Sequence, residues 1–294
     1  MKNDVFLDCL TLTLLGVPQG ENNGHSYEFD FIYTLAESLG GLLEVRLSGG
    51  KGYPKSATIK GTLENGIQWV VFCAYGSMNL GQHMSIECKG QMTEHFRDVF
   101  LSFGVDWSLS RADIALDMMI DFDEARSICL DYANKKKIYT NLIGDWESKE
   151  RGLDPKGRTY QIGANRKECE SLIRLYEKGL EMKQQGVVGV PEELIRLELE
   201  FKPKKHKRQH IKSLDARDIL SFAINPLELF NTFHDLGIEG VRVNGKKEHG
   251  YKQSVRHMMT QYLSQIKEWK DQEGLVSLFE EIEYAIEHGH VVQS

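Results

Sequence analysis

Three short stretches of this 294-residue chain set ionisable side chains on one side of an alternating pattern. They are Arg111-Ala112-Asp113-Ile114-Ala115-Leu116-Asp117, Ile173-Arg174-Leu175-Tyr176-Glu177-Lys178 and Arg196-Leu197-Glu198-Leu199-Glu200-Phe201. In a strand, alternate residues share a face. Arg111, Asp113 and Asp117 then point one way, with Ala112, Ile114 and Leu116 toward a core. Arg174, Tyr176 and Lys178 oppose Ile173 and Leu175. Arg196, Glu198 and Glu200 oppose Leu197, Leu199 and Phe201. If the strands are neighbours, the polar faces merge into a patch holding one phenol, several carboxylates and several cations. Cations on either side of Tyr176 would attract a phosphate and favour phenolate, lowering the phenol's pKa. Asp113, Asp117, Glu198 and Glu200 offer the oxygen ligands that suit Mg²⁺ or Mn²⁺. Such an ion polarises a phosphodiester, and a tyrosine attacking it forms a covalent intermediate that can later reseal the strand. The plainer account of alternating charge is a solvated sheet face with cross-strand ion pairs.

Positioning these residues requires an α+β scaffold. Strands are expected over 5–15, 42–47, 57–63, 67–75 and 83–88, with Asn65-Gly66 as a hairpin turn and helices over 26–39 and 93–103, the latter capped by Thr93. A second set follows: a strand over 107–118, a helix over 123–134, then strands over 138–146, 158–163, 171–178 and 193–202. This predicts antiparallel sheets built from two related strand–helix–strand halves, with helices on one face. Beyond a basic run at Lys202–Lys212, helices are expected over 213–223, 226–236, 255–269 and 275–288. The division is a 1–212 catalytic region and a 213–294 helical C-terminal region.

The composition is that of a globular protein, 41% hydrophobic and 27% charged. No apolar run is long enough to cross a bilayer, and the opening residues do not read as a signal peptide, so a cytoplasmic protein is expected. Five dispersed cysteines without a C-x-x-C argue against disulfides or a thiolate zinc site. The net charge of −7 excludes binding nucleic acid by bulk charge alone, yet Lys204, Lys205, Lys207 and Arg208 form a local basic cluster that could contact phosphates. Tyr75, Tyr139, Trp146 and Tyr160 are candidates for stacking on unpaired bases.

Four segments in fixed order add a resemblance. R-x-D-x-A-x-D at 111–117, TYQIG at 159–163, IRLYEKGLE at 173–181 and IRLELE at 195–200, with DCLTLT at 8–13 as a first strand, resemble the Rep_trans replication initiation factor family. That family includes rolling-circle plasmid initiators, filamentous-phage-type replication proteins and relaxases of some integrative elements. The resemblance covers 5–202 and is most specific in R-x-Y-x-K-G-x-E. It implies a relative of the His-hydrophobe-His (HUH) nucleases in which acidic residues supply most metal ligands. Tyr176 would be the nucleophile, nicking DNA, keeping a 5′-phosphotyrosine and leaving a 3′-hydroxyl for polymerase. Asp113 and Glu198, with Asp117 or Glu200, would bind the metal, and Lys178 and Arg174 would orient the phenol or phosphate. The implied partners are a single-stranded or extruded DNA origin, a host helicase and a polymerase; a homodimer is compatible, and no membrane is involved. Phage, plasmid and integrative-element contexts all fit. Two other readings remain: a non-catalytic DNA-binding regulator on the same scaffold, and a metal-dependent phosphodiesterase that uses water and leaves Tyr176 dispensable.

Other patterns are set aside. His288-Gly289-His290 has Gly where the metal motif has a hydrophobe, and His206 and His210 lack nearby carboxylates. GVRVNGKK at 240–247 approaches a phosphate-binding loop, but Lys247 replaces the Mg²⁺-holding hydroxyl and Asn244-Gly245 reads as a turn.

Overall fold

The structure, a computed structural model, describes residues 5–15, 21–22, 25–46, 53–76, 84–144, 157–164, 166, 169–243 and 245–247. The helices expected over 255–269 and 275–288, the His288/His290 pair, Trp146 and Asn244 lie outside them.

The chain runs β1 (Val5–Leu14), α1 (Tyr27–Leu39), β2 (Leu42–Arg46), β3 (Lys55–Thr62), β4 (Gln68–Tyr75), β5 (Met84–Lys89) and α2 (Thr93–Ser102). It continues with β6 (Trp107–Met119), α3 (Phe122–Lys136), β7 (Thr140–Ile143), β8 (Thr159–Ile162), β9 (Ser171–Glu177), α4 (Lys178–Gln184) and β10 (Leu194–Phe201). Helices α5 (Ala216–Ser221) and α6 (Ile224–Asp235) follow. Ten strands form one antiparallel sheet in the order β2-β3-β4-β5-β1-β6-β10-β9-β8-β7. The order has an internal symmetry. In each half the first strand (β1 or β6) is followed by a helix, the next strand lies at the sheet edge, and the remaining strands step back inward. The two related halves expected from sequence are present, and they share one sheet through the β1–β6 pair.

The alternating pattern sorts the two faces. Leu10, Leu12 and Leu14 of β1, Ala112 and Ile114 of β6, Leu197, Leu199 and Phe201 of β10 and Leu175 of β9 are fully buried in one apolar cluster. Ile32 and Leu35 of α1, Phe96 and Phe100 of α2, Cys129 of α3, Ile219 of α5 and Phe230 and Phe233 of α6 complete it. Helix α3 has the local signals its sequence predicts. Asp121 caps it by accepting from the amides of Asp123 and Glu124 at 2.9 and 3.1 Å, and Lys137 ends it in a left-handed conformation, φ 56°. The Asn65-Gly66 turn forms as expected, with Gly66 at φ 78°. Thr93 is not a cap. Its hydroxyl donates to the Asp8 carbonyl at 3.2 Å instead, tying α2 to β1.

That carbonyl belongs to a β-bulge. Leu7 pairs with Ile114 and Cys9 with Asp113, so Asp8 is the extra residue. A bulge re-aims a side chain without moving the flanking residues off their faces. Here Leu7 and Leu10 both stay in the core while Asp8 joins the polar side.

The compact unit that contains the sheet extends to Lys247, beyond the Lys212 boundary expected from sequence, because α5 and α6 carry part of the same core. Replacing Phe230 with Ala should therefore lower stability by about 3–5 kcal/mol. Chemical denaturation checks this; an unchanged midpoint would mean that α6 does not support the sheet.

Candidate active site

The three charged strands lie together, as the alternating pattern requires. Across β9 and β10, Arg174 pairs in register with Glu198 and Tyr176 with Arg196. Across β10 and β6, Arg196 pairs with Asp117 and Glu200 with Asp113. The Tyr176 hydroxyl donates to Glu198 Oε2 at 2.9 Å, while Arg174 Nη2 donates to the other Glu198 oxygen. Arg111 donates to both oxygens of Asp113, at 2.7 and 2.5 Å, and lies 2.9 Å from Glu200. Glu200 also meets Lys202 and Arg174. A cavity of about 360 Å³ opens over this surface, with Tyr176, Glu198, Arg174, Asp113, Arg111 and Lys178 in its wall. The cross-strand ion pairs of the plainer account are real, but they are not solvated: Asp113 and Glu198 are each only 5% exposed.

Beside the cavity is a buried triad. Arg196 grips Asp117 through two nitrogens at 2.5 and 2.9 Å and reaches Asp8 with a third at 2.8 Å. The Phe6 ring lies 5.0 Å from the same guanidinium. This fully engages Asp117, which does not line the cavity. The sequence did not mark Arg196 as a site residue, nor Asp8, because the bulge that aims Asp8 leaves no sequence signal. Arg158 and Glu177, paired at 2.9 Å, and Lys89 also line the cavity; Arg158 and Lys89 lie outside the three marked stretches, and Glu177 alternates with Tyr176 rather than sharing its set.

One electrostatic feature differs from expectation. The Tyr176 phenol is pushed well above the usual tyrosine value, first by burial and then by the Glu198 carboxylate; Arg196 opposes this without outweighing it. The expected lowering by flanking cations fails because Arg174 is turned onto Glu198 and Lys178 is paired with Glu181 at 2.8 Å. Burial also raises Asp113 to about 6, with Glu198 and Glu200 adding to the rise against Arg111. Burial pushes Glu200 the same way, but Lys202, Arg111 and Arg174 outweigh it and hold Glu200 below its ordinary value.

Lys178 begins α4 rather than continuing the strand, and its ammonium lies 5.7 Å from the centre of the Tyr176 ring. The next residue must be Gly179, because a Cβ there would collide with the Pro191 carbonyl. The basic cluster divides. Lys204 and Lys205 are exposed, whereas Lys207 pairs with Glu170 at 2.7 Å and Arg208 donates to the Pro203 carbonyl at 2.7 Å. None of the four lines the cavity. Of the aromatic candidates, Tyr75 and Tyr160 are 3% exposed and pack in the core, while Tyr139 is 69% exposed. Cys9, Cys73, Cys88 and Cys129 are buried thiols. Gly240 bridges to Met118, and Lys246 and Lys247 pair with Val188 and Val187, so the 240–247 segment is spent on strand pairing.

Among the described residues, no three carboxylate, histidine or cysteine side chains stand as a ready-made metal ligand set. The donor chemistry nonetheless suits a hard cation. Asp113, Glu198 and Glu200 crowd closely enough for the latter two to raise Asp113, and added positive charge relieves that repulsion. No helix among the described residues is long and apolar enough to cross a membrane.

Comparison with known proteins finds no matching family model and no matching curated protein. Among solved structures, the rolling circle replication initiator protein from Geobacillus stearothermophilus is similar over 71% of this chain and 76% of that one, at 19% identity and a TM-score of 0.44. A likeness at that level transfers no residue roles.

Asp117→Leu should cost about 3–5 kcal/mol, since it leaves the Arg196 charge buried and short of its partner. Pairing it with Arg196→Met should recover most of the loss in the same unfolding assay. A single variant as stable as the parent would contradict the triad. The raised Asp113 gives a pH signature. The folded state holds that proton more tightly than the unfolded chain, so its contribution is full below 3.8 and lost as pH rises through about 6. Asp113→Asn should flatten stability against pH across that window; an unaltered slope would count against it.

Proposed function

We propose that this chain is a nickase and strand transferase of the rolling-circle replication type, related to the Rep_trans initiators, with Tyr176 as nucleophile. The observation that carries this reading is the 2.9 Å hydrogen bond from the Tyr176 hydroxyl to Glu198 in the wall of an open cavity that cations and carboxylates line in equal number. Because burial and Glu198 hold the phenol protonated, it needs a base at the moment of attack, and Glu198 is within reach of the proton. Tyr176 Oη bonds to phosphorus as its proton passes to Glu198. The bond from phosphorus to the 3′-oxygen breaks, and that oxygen takes a proton from solvent or Lys178. The product is a 5′-phosphotyrosine and a 3′-hydroxyl, and the reverse sequence rejoins the strand. Arg174, Arg111 and Lys178 are placed to offset charge on the phosphoryl oxygens. Asp113 and Glu198 would hold Mg²⁺ or Mn²⁺ in exchange for their arginines, and such an ion would supply Lewis-acid polarisation of the phosphodiester. Single-stranded or extruded DNA is the proposed substrate, with phage, plasmid and integrative-element contexts, a host helicase and polymerase, and a homodimer all compatible.

A second reading, a DNA-binding module whose site is unused, is favoured by one observation: both oxygens of Asp113 and of Glu198 are already engaged. An oligonucleotide adduct assay with Mn²⁺ separates the two. Tyr176→Phe should abolish the covalent adduct and leave DNA binding near the parent value. Glu198→Gln should slow adduct formation by about 10²–10⁴-fold. An adduct that persists in Tyr176→Phe eliminates this nucleophile.

A further inference from the structure

Among the described residues, the polar face leaves Tyr176 in two directions, over Asp113 toward Lys89 and over Thr159 toward β7. Toward the centre, the polar face is filled by the ion pairs of Asp113, Asp117, Arg196 and Glu198, each 5% exposed or less. Toward the β7 edge, exposure rises step by step. Tyr176 pairs in register with Thr159, and Thr159 with Ile143; Arg174 pairs with Gln161, and Gln161 with Asn141. Paired residues share a face, so these two rows carry the polar face of β9 across β8 to β7. Thr159 and Gln161 are half-buried, and Asn141 and Ile143 are exposed, Ile143 by 47%. Tyr139 precedes β7 in the same alternation and is 69% exposed, while its neighbour Ile138 packs against the core.

We propose that these rows are a track for single-stranded DNA running from Tyr176 across β8 to β7, where Tyr139 is the platform on which an unpaired base stacks. This rests on the nickase reading and adds how the substrate strand is held. Two strand spacings and four residues along β7 place Tyr139 about 17 Å from Tyr176, the length of about five stacked nucleotides. The chemistry along the path fits one occupant. Arg174 and Lys178 meet a phosphate at one end. Gln161 and Asn141 offer amide donors and acceptors in the middle. At the far end Tyr139 and Ile143 are apolar surfaces, with exposed Lys135 and Lys137 just before them at the close of α3. An exposed aromatic at the end of a polar row, with exposed lysines two and four residues before it in the chain, suits unpaired bases held without reading their sequence.

The test uses the full chain as Tyr176→Phe, so that binding is read without cleavage, and a fluorescein-labelled oligothymidylate. Tyr139→Ala should weaken binding about ten-fold, and Tyr139→Trp should restore it. Because Tyr139 is so exposed, neither change threatens the fold. If Tyr139→Ala binds as tightly as its parent, the track is wrong while the nickase reading stands. If the parent itself does not bind the oligonucleotide, the nickase reading falls and the track with it. Restoration absent in Tyr139→Trp also overturns stacking as the mode of contact.

Discussion

The Arg196 guanidinium, buried between Asp117 and Asp8, joins β10 to β6 and β1 beside the phenol it faces across the β9 pairing. A charge so deep in a protein is costly unless each of its donors is met. Three of its nitrogens are used, which fixes the mutual register of the central strands. A slip of one residue would turn every side chain to the opposite face. Asp117 would then meet apolar neighbours and Leu197 would enter the polar surface. The site is therefore held by the same pairing that closes the core.

On that frame the polar face is a set of nearly balanced charges. Arg111 offsets Asp113, Arg174 offsets Glu198, Lys202 offsets Glu200 and Lys178 offsets Glu181. Burial first, and then the Glu198 carboxylate, keep the phenol protonated at rest, and Arg174 and Lys178 do not offset them because each is committed to another partner. Arrival of a phosphodiester changes the count, because its negative charge competes for the same guanidiniums. A site of this kind holds its pairs until a competing anion redistributes them.

Much of this was legible in the residues. Alternation alone assigned the faces of Arg111–Asp117, Arg174–Tyr176 and Arg196–Glu200, because a half-covered strand has no other way to sort charge from hydrophobe. The Asn65-Gly66 turn follows from backbone chemistry that two residues determine. What the sequence hid was long-range. It did not show that Arg174 would turn onto Glu198 rather than toward the phenol, which reversed the expected shift of Tyr176. It did not show that a bulge would recruit Asp8, or that Thr93 would brace that bulge rather than cap a helix. Nor did the basic run reveal that Lys207 and Arg208 serve local packing while Lys204 and Lys205 face solvent. Most of these choices depend on distant partners, 24 residues away for Arg174 and Glu198, 37 for Lys207 and Glu170 and 85 for Thr93 and Asp8, whereas Arg208 turns to a carbonyl only five residues back.

The placement of the first strand of each half at the middle of the sheet has a consequence for biosynthesis. Strand β1 waits for β5 to emerge from the ribosome before it gains its first neighbour, and β6, which meets β1 at once, waits for β10 on its other side. Contacts that close such long intervals of chain form slowly. The inner strand of the second half is completed last, and the cavity, whose wall includes Glu198, exists only once β10 has been made and docked. A product stopping short of β10 thus carries Tyr176 without Glu198 and Arg196, the two side chains that flank its phenol across the β9–β10 pairing.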